Sequence, residues 1–213
     1  MSVDTSPKPD SEPRPRRWVW PVLGAALGVV LGIAVLSVFR PHVYSGVVLQ
    51  SSDPAPSMEI LTYTDGEPVD IAALQGNVVF VHFGFTYCPD VCPLTMATVN
   101  KAIDSLEPDD AQRVETIMVT VDPHRDSPAA LDDYLANFDA RFRGVWGEEG
   151  DVRSVATRYG VTFEYGEENA DGHYEVIHTA SLMAIDPDGA LRIVYPFGVT
   201  AEELSADLQQ LLN

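Results

Sequence analysis

Apolar residues along the chain follow two periods, and the strand-like period predicts five strands. Residues 58–63 predict a strand at the edge of a sheet, whereas residues 77–83 form an almost continuous apolar run that predicts a central strand buried on both faces. Residues 114–121 predict the next strand. Residues 181–185 and 191–195 predict a hairpin, because the Asp-Pro-Asp-Gly sequence between them suits a tight turn.

The second period, with apolar residues three and four positions apart, predicts four helices. They are expected to begin near Pro93, Ser127, Asp151 and Thr200. Ser127 and Asp151 are residue types that cap helix N-termini, and Thr200 opens a Thr-x-x-Glu capping box. Pro108 and Gly160 are expected to end the first and third helices, since neither residue favours continuation of a helix.

The order of these elements predicts the fold. It is strand, strand, helix, strand, helix, short helix, hairpin and helix, which combines a parallel strand–helix–strand half with an antiparallel half. We therefore expect an α/β fold of the thioredoxin-like sandwich type, with a central mixed sheet flanked by helices, over residues 58–213. An acidic segment at residues 164–172 precedes the hairpin, and the sequence leaves open whether it moves to admit an ion.

The N-terminal part of the chain has a different composition. Residues 1–17 are rich in proline and serine with mixed charges, which predicts a disordered cytoplasmic tail. Residues 18–39 carry no charge, and at 1.5 Å per helical residue this length spans the roughly 30 Å of a bilayer core. They predict a single transmembrane helix. Residues 40–57 predict a linker or stalk that includes a short strand at residues 47–49.

Charges beside the apolar run predict its orientation. Arg14, Arg16 and Arg17 precede the run, which favours a cytoplasmic N-terminus and an extracytoplasmic domain tethered to the cell (inner) membrane. A cleaved signal peptide is the competing interpretation, but its apolar region usually has about 7–15 residues. The run here is longer and no Ala-x-Ala cleavage sequence follows it, so a membrane anchor is expected.

Net charge narrows the class of partners. The chain has 13 Lys and Arg residues against 32 Asp and Glu residues, for a formal charge of -19. Such a surface repels phosphate backbones, so we expect no nucleic acid partner. A well-solvated surface accounts for the acidity without a dedicated cation-attracting face.

The thiol chemistry of the chain is concentrated in one turn. Cys88 and Cys92 are the only cysteines, and they lie four positions apart where a strand is predicted to give way to a helix. Pro93 suits the first helical position, so Cys92 lies at the helix start, where unpaired amides favour a thiolate. A structural disulfide is one interpretation, but a ring this small would contribute only roughly 2 kcal/mol. A dithiol that binds a soft metal or cycles with a disulfide is favoured.

A third ligand would favour the metal role, and the histidines are the candidates. His42, His82, His124 and His173 are expected to be structural or solvated. His178 precedes the hairpin strand, where thioredoxin-like oxidoreductases characteristically carry a cis proline facing their cysteines. This chain has no proline between Pro128 and Pro187, so the expected fold brings the His178 imidazole to Cys88 and Cys92.

Donor chemistry then suggests the metal. Two soft thiolates and an imidazole suit copper, particularly Cu(I), and leave the site open enough to pass the ion on. Zinc fits by softness, but it normally recruits a fourth ligand. The scattered methionines are expected to fill the core rather than bind copper. They are Met58, Met96, Met118 and Met183.

These residues resemble the SCO/SenC family. The resemblance covers roughly residues 58–212 and is carried by FGFTYCPDVCP at 83–93, VDPHRDSP at 121–128, residues 174–179 and the turn at 186–189. It implies a membrane-tethered copper chaperone that serves assembly of the copper A centre of cytochrome c oxidase. It also implies that Cys88, Cys92 and His178 are the copper ligands, and the bound ion is expected to be Cu(I), Cu(II) or both. Ile177 departs from the family pattern by replacing an acidic residue, which leaves the hydrogen-bond partner of the imidazole open. Asp122 is the acidic group to examine near the site, although its role is equally that of shaping its own loop.

Two functions from different classes follow. The first is a chaperone without turnover chemistry that receives copper, with another copper chaperone as a possible donor, and transfers it to the copper A subunit by ligand exchange. The second is a thiol-disulfide oxidoreductase that uses Cys88 and Cys92 to reduce the cysteines of the oxidase before metallation. A peroxidase of the same fold is a poorer third interpretation, because only the fold suggests it.

Overall fold

The computed structural model describes residues 19–38, 42–50, 53–171 and 173–213. Helix α1 spans Val19–Val38, and its side chains are described for residues 22–32. Within these parts of the chain, no helix combines the length and the apolar character that a membrane crossing requires. The transmembrane helix predicted over residues 18–39 is therefore not confirmed, and the tail predicted at residues 1–17 lies outside the described residues.

A compact unit comprises Val43–Asn213. Its strands are β1 Val47–Val48, β2 Met58–Tyr63, β3 Pro68–Val69, β4 Val78–Gly84, β5 Val114–Thr120, β6 Arg143–Trp146, β7 Phe163–Tyr165, β8 Val176–His178, β9 Ser181–Ile185 and β10 Leu191–Pro196. Its helices are α2 Val91–Asp104, α3 Pro108–Ala111, α4 Pro128–Leu135, α5 Glu149–Arg158 and α6 Ala201–Leu211, with a short 3-10 helix at Ala72–Leu74.

Eight strands form one mixed sheet in the order β1-β10-β9-β4-β5-β6-β2-β3, and β7 pairs with β8 in a separate two-stranded sheet. Strand β4 is central, parallel to β5 and antiparallel to β9, and all its residues are buried. Helix α2 contacts α6, α4 contacts β6, and α5 contacts β2. The α/β fold with a central mixed sheet flanked by helices is therefore confirmed.

The sequence predicts that the domain begins at residue 58, but the compact unit begins earlier in the chain. Strand β1, which the sequence predicts, pairs with β10, and Pro54 forms a bridge with Ala190. The described residues of the expected stalk are thus attached to the sheet edge. Strand β2 is not the outermost strand at the other end, because the two residues of β3 pair with it.

Some helix ends follow the predicted caps and others do not. The Ser127 hydroxyl accepts a hydrogen bond from Ala130 N, and Thr200 and Glu203 form the reciprocal capping box, as predicted. Helix α5, however, has Glu148 at its N-cap, so the prediction of Asp151 as the cap is wrong. Asp151 lies in the first turn, where its charge favours the positive end of the helix.

Candidate metal centre

The two cysteines lie where the central strand passes into a helix. Strand β4 ends at Gly84, a loop follows, and α2 begins at Val91, two residues before the predicted start near Pro93. Cys92 is therefore in the first turn of α2 and is fully buried, whereas Cys88 lies in the loop and is half-buried. Both thiols are free, and the Cys92 amide donates a hydrogen bond to Cys88 Sγ over 3.4 Å.

The last residue of β8 brings the third donor to this turn. His178 Nε2 lies 4.0 Å from Cys92 Sγ. The donor atoms of Cys88, Cys92 and His178 all lie within 4.8 Å of one another, and no other such cluster of His, Cys, Asp or Glu occurs among the described residues. The structure thus brings together the three side chains that the sequence analysis selected, in an arrangement that can hold a metal ion.

Backbone contacts orient the imidazole of His178. Its Nδ1 lies 3.2 Å from the carbonyl oxygen of Thr179, which only accepts hydrogen bonds, so Nδ1 carries the proton. The lone pair on Nε2 is then directed to Cys92. The ring also packs edge-on against Phe85, with 5.7 Å between ring centres. The Thr179 carbonyl is therefore the hydrogen-bond partner of the imidazole in this chain, in which Ile177 replaces the acidic residue of the family pattern.

The two thiols differ in acidity. Hydrogen bonds to Cys88, chiefly from the Cys92 thiol and then from backbone amides at the start of α2, lower the pKa of Cys88 to about 5. The same interaction with Cys88, together with burial, raises the pKa of Cys92 well above its usual range. At neutral pH the pair therefore holds one thiolate, on the more exposed sulfur, and one proton, on the buried sulfur.

Asp122 contacts neither cysteine nor His178 through a hydrogen bond. This fully buried carboxylate accepts hydrogen bonds from Arg125 Nε over 2.5 Å and from the Tyr174 hydroxyl over 2.6 Å. Arg125 Nη1 also donates to the Tyr174 carbonyl oxygen over 3.0 Å. Asp122 thereby holds Tyr174 and the segment that leads into β8. Because His178 is the last residue of β8, Asp122 helps to position it indirectly.

Arg125 links the two segments that carry the donor atoms. Its guanidinium carbon lies 3.9 Å from the ring centre of Tyr174, four residues before His178. The same guanidinium carbon lies 5.1 Å from the ring centre of Tyr87, which is next to Cys88. Cation–π contacts of this kind are stabilising, so Arg125 holds the cysteine loop and the histidine segment against each other.

Asp126 anchors the start of the cysteine loop through Thr86. This fully buried carboxylate accepts hydrogen bonds from the Thr86 amide over 3.1 Å and from the Thr120 hydroxyl over 2.6 Å. Burial is the main cause that raises the pKa of Asp126 above its ordinary value. Sequence reasoning marked the DPHRD segment but assigned no role to Arg125 or Asp126, because the partners that tie them to the site, Tyr174 and Thr86, lie 49 and 40 positions away.

The other histidines have separate environments. His124 Nε2 lies 3.0 Å from a carboxylate oxygen of Glu149, and His173 is exposed in its loop. His82 is fully buried in β4, with Nδ1 3.1 Å from the Ser181 carbonyl oxygen. Burial lowers the pKa of His82 to about 4, so its ring is neutral. The four scattered methionines are all buried in the core.

The acidic segment contributes no donor to the cluster. Its first residues, Glu164 and Tyr165, belong to β7 and pair with Ile177 and Val176 of β8. The Tyr165 hydroxyl donates to the Val121 carbonyl oxygen over 2.9 Å, which ties β7 to the end of β5. The segment thus supports β8 from outside, and Gly172 is beyond the described residues.

The fold and the cluster define a thioredoxin-like protein with a candidate site for a soft metal ion. A family model described as SCO1/SenC matches residues 60–213. The chain belongs to this family, which confirms the resemblance drawn from the sequence.

Solved structures and a curated relative agree with this placement. The chain is 35% identical to apo Sco1 of Thermus thermophilus, with a TM-score of 0.73 over 80% of this chain and 98% of that one. It is 32% identical to copper-bound ScoI of Bradyrhizobium japonicum, with a TM-score of 0.64 over 78% and 99%. It is 31% identical to the mitochondrial SCO2 homolog of Mus musculus over 68% of this chain, and spans 57% of the length of that protein.

Proposed function

We propose that this protein binds copper through Cys88, Cys92 and His178 and delivers the ion to the copper A subunit of cytochrome c oxidase. The observation that carries the proposal is the convergence of two sulfurs and one imidazole nitrogen within 4.8 Å. Further support comes from ScoI of Bradyrhizobium japonicum, a relative whose structure has copper bound.

The donor set suits copper in transit. Two thiolates and an imidazole are soft or borderline ligands, which favour Cu(I) and also accept Cu(II). Cys88 and His178 are only partly buried, so an incoming ligand has access to one side of the ion. Cys92 lies on the buried side and retains the ion until exchange begins. A copper ion held this way is cargo that leaves with the acceptor.

The surface around the site suits docking. Among the described residues that follow Ile60, the exposed large hydrophobic side chains are Tyr87, Leu94, Ile177 and Phe197. Tyr87 and Ile177 flank two of the donors, and Leu94 and Phe197 line a neighbouring groove of about 280 Å³. We name these four residues the apolar rim. Exposed apolar side chains beside a site are typical of an interaction surface, and we assign the rim to the copper A subunit and, in turn, to a donor chaperone.

The cellular setting is part of the proposal. An uncharged run at residues 18–39 behind three arginines supports a single-pass anchor with a cytoplasmic N-terminus. The compact unit would then work on the extracytoplasmic side of the cell (inner) membrane. We expect no role in nucleic acid binding, since the charge of -19 opposes it.

A thiol-disulfide oxidoreductase is the second candidate, favoured by the asymmetry of the thiols. Cys88, with its lowered pKa of about 5, is the half-exposed nucleophile. Its thiolate would attack a disulfide of the target, forming a mixed disulfide and releasing one target thiolate. Cys92 would then lose its proton and attack Cys88, which releases the second target thiolate and leaves a Cys88–Cys92 disulfide.

Anaerobic copper titration of the reduced full-length protein tests the proposal. Wild type is expected to bind one Cu(I) ion, and Cys88→Ser and His178→Ala are expected to bind it much more weakly. His173→Ala is the matched control, because His173 is exposed and outside the cluster. If His178→Ala retains wild-type copper affinity while Cys88→Ser abolishes disulfide reduction, the reductase is the better function and the chaperone proposal fails.

A further inference from the structure

One buried imidazole nitrogen in the fold has no partner. His82 is fully buried in the central strand, and no hydrogen-bond partner for its Nε2 occurs in the described part of the chain. Buried polar atoms are nearly always satisfied, and an exception often marks the place of an ion or a water molecule. The His82 ring lies edge-on to that of His178, with 6.3 Å between the ring centres.

His82 and His178 are prepared for ligation in the same way. Nδ1 of His82 lies 3.1 Å from the Ser181 carbonyl oxygen, and Nδ1 of His178 lies 3.2 Å from the Thr179 carbonyl oxygen. Each Nδ1 therefore carries the proton, and each Nε2 keeps a lone pair. A histidine ligand typically donates its second ring N–H to a carbonyl or a carboxylate in this manner.

The absence of a side chain at Gly84 lets His82 and Cys92 pack against the same point of the backbone. A β-carbon at Gly84 would lie 2.8 Å from Cys92 Sγ and 2.9 Å from His82 Nε2. Both atoms therefore pack against Gly84, which places His82 Nε2 next to Cys92. Cys92 thus has an imidazole nitrogen of His178 and one of His82 as neighbours.

We propose that His82 Nε2 is a fourth donor to the copper ion, engaged when the ion is Cu(II). The inference rests on the proposed copper function. Cu(I) is satisfied by the two sulfurs and His178, whereas Cu(II) favours a four-donor arrangement with nitrogen ligands. His82 then completes the set from the buried side, whereas in the Cu(I) form its Nε2 stays unligated.

Counting imidazole nitrogens on Cu(II) tests the proposal. One equivalent of Cu(II) is added to the reduced full-length protein, and pulsed electron paramagnetic resonance measures the coupled nitrogens. Wild type is expected to show two imidazoles, and His82→Asn and His178→Ala one each. Asn at position 82 retains a side-chain N–H donor for the Ser181 carbonyl but has no nitrogen at the Nε2 position. His173→Asn is the control and is expected to show two.

The outcomes separate this inference from the function on which it rests. A wild-type count of one imidazole, or a count of two that His82→Asn leaves unchanged, overturns the role of His82 while the three-donor site stands. Failure of the wild type to bind copper through its cysteines overturns both. If His82→Asn does not fold, as judged by its melting transition, the counts of His42→Asn, His124→Asn and His173→Asn decide the matter, because two imidazoles in all three leave His82 as the second donor beside His178.

Discussion

Cys92 Sγ lies 4.0 Å from Nε2 of His178, although 86 positions separate the two residues along the chain. This contact joins two elements. The first turn of α2 follows the strand β4 in the parallel half of the fold, and β8 precedes the antiparallel hairpin. The site therefore forms only when both halves are folded. Copper affinity is consequently expected to depend on the residues that hold the two segments together as well as on the proposed donors.

Removing the imidazole separates copper binding from thiol chemistry. Loss of an outer partner of a metal ligand already weakens affinity by about 10–100-fold, so loss of a direct donor in His178→Ala is expected to cost more than about 100-fold. The reactivity of the dithiol toward a model disulfide is expected to stay near that of wild type. Competition titration with a Cu(I) chelator and a disulfide-exchange assay measure the two quantities. Equal losses in both assays would contradict independent roles.

The thiol pair predicts an unusual pH dependence of alkylation. The pKa of Cys88 is lowered from 9.0 to about 5, so iodoacetamide should modify Cys88 at neutral pH and react more slowly as pH falls through about 5. In urea the same transition should move toward 9. Because the folded pKa is the lower one, Cys88 contributes stability that is present above the unfolded value and lost as pH falls through the folded value. A folded-state midpoint near 9 would refute the hydrogen-bonded thiolate.

The contacts of Arg125 predict a large stability effect. Arg125→Met leaves the buried carboxylate of Asp122 without its cation, which typically costs about 3–5 kcal/mol of unfolding free energy. Copper affinity should fall as well, because the His178 segment loses its attachment to Tyr87. Chemical denaturation and copper titration measure both effects. Arg141→Met is the control, since its ion pair with Asp139 is more exposed and is expected to contribute less than about 1 kcal/mol.

Gly84 is expected to tolerate no side chain. In Gly84→Ala, the new β-carbon would lie 2.8 Å from Cys92 Sγ, so the sulfur or the strand must shift. Overpacking of this kind costs about 1–3 kcal/mol, and the displaced sulfur should weaken copper binding. Gly150→Ala in α5 is the matched control, because nothing lies within 4 Å of its added carbon. Wild-type copper affinity in Gly84→Ala would argue against this close packing at Cys92.

Charges placed on the apolar rim should slow transfer without weakening binding. Leu94→Asp and Phe197→Asp alter exposed side chains of the rim that offer no donor atom to the metal, so copper affinity should remain near that of wild type. Transfer of copper to the purified soluble part of the copper A subunit should slow by about tenfold or more, which corresponds to about 1.4 kcal/mol. Ile60→Asp is the control, because Ile60 is equally exposed but belongs to β2. Equal slowing in all three variants would show that the rim is not the docking site.

Local sequence signals predicted the parts of the fold that have strong periodicity or specific turn chemistry. The buried run of β4, the cap at Ser127 and the capping box at Thr200 are each determined by neighbouring residues. Strands β3, β6, β7 and β8 were missed. They have two to four residues each, too few to establish a period.

The same distinction applies to the site. Cys88, Cys92 and His178 were selected because their residue types are chemically distinctive and the order of strands placed them together. Arg125 was missed because arginine in a polar loop is common, and its partner Tyr174 lies 49 positions away. The unpaired nitrogen of His82 was equally inaccessible, because only coordinates reveal which buried atoms lack a partner.

Cys92 is part of the hydrophobic core, so an ion bound to its sulfur is bound to the core itself. Copper binding should therefore affect the lifetime of the protein. An ion that binds the folded chain, and not the unfolded one, stabilises it in proportion to the logarithm of its concentration over its dissociation constant. The empty form should therefore open more often and be degraded sooner than the loaded form. Copper supply would then set how much of the protein persists.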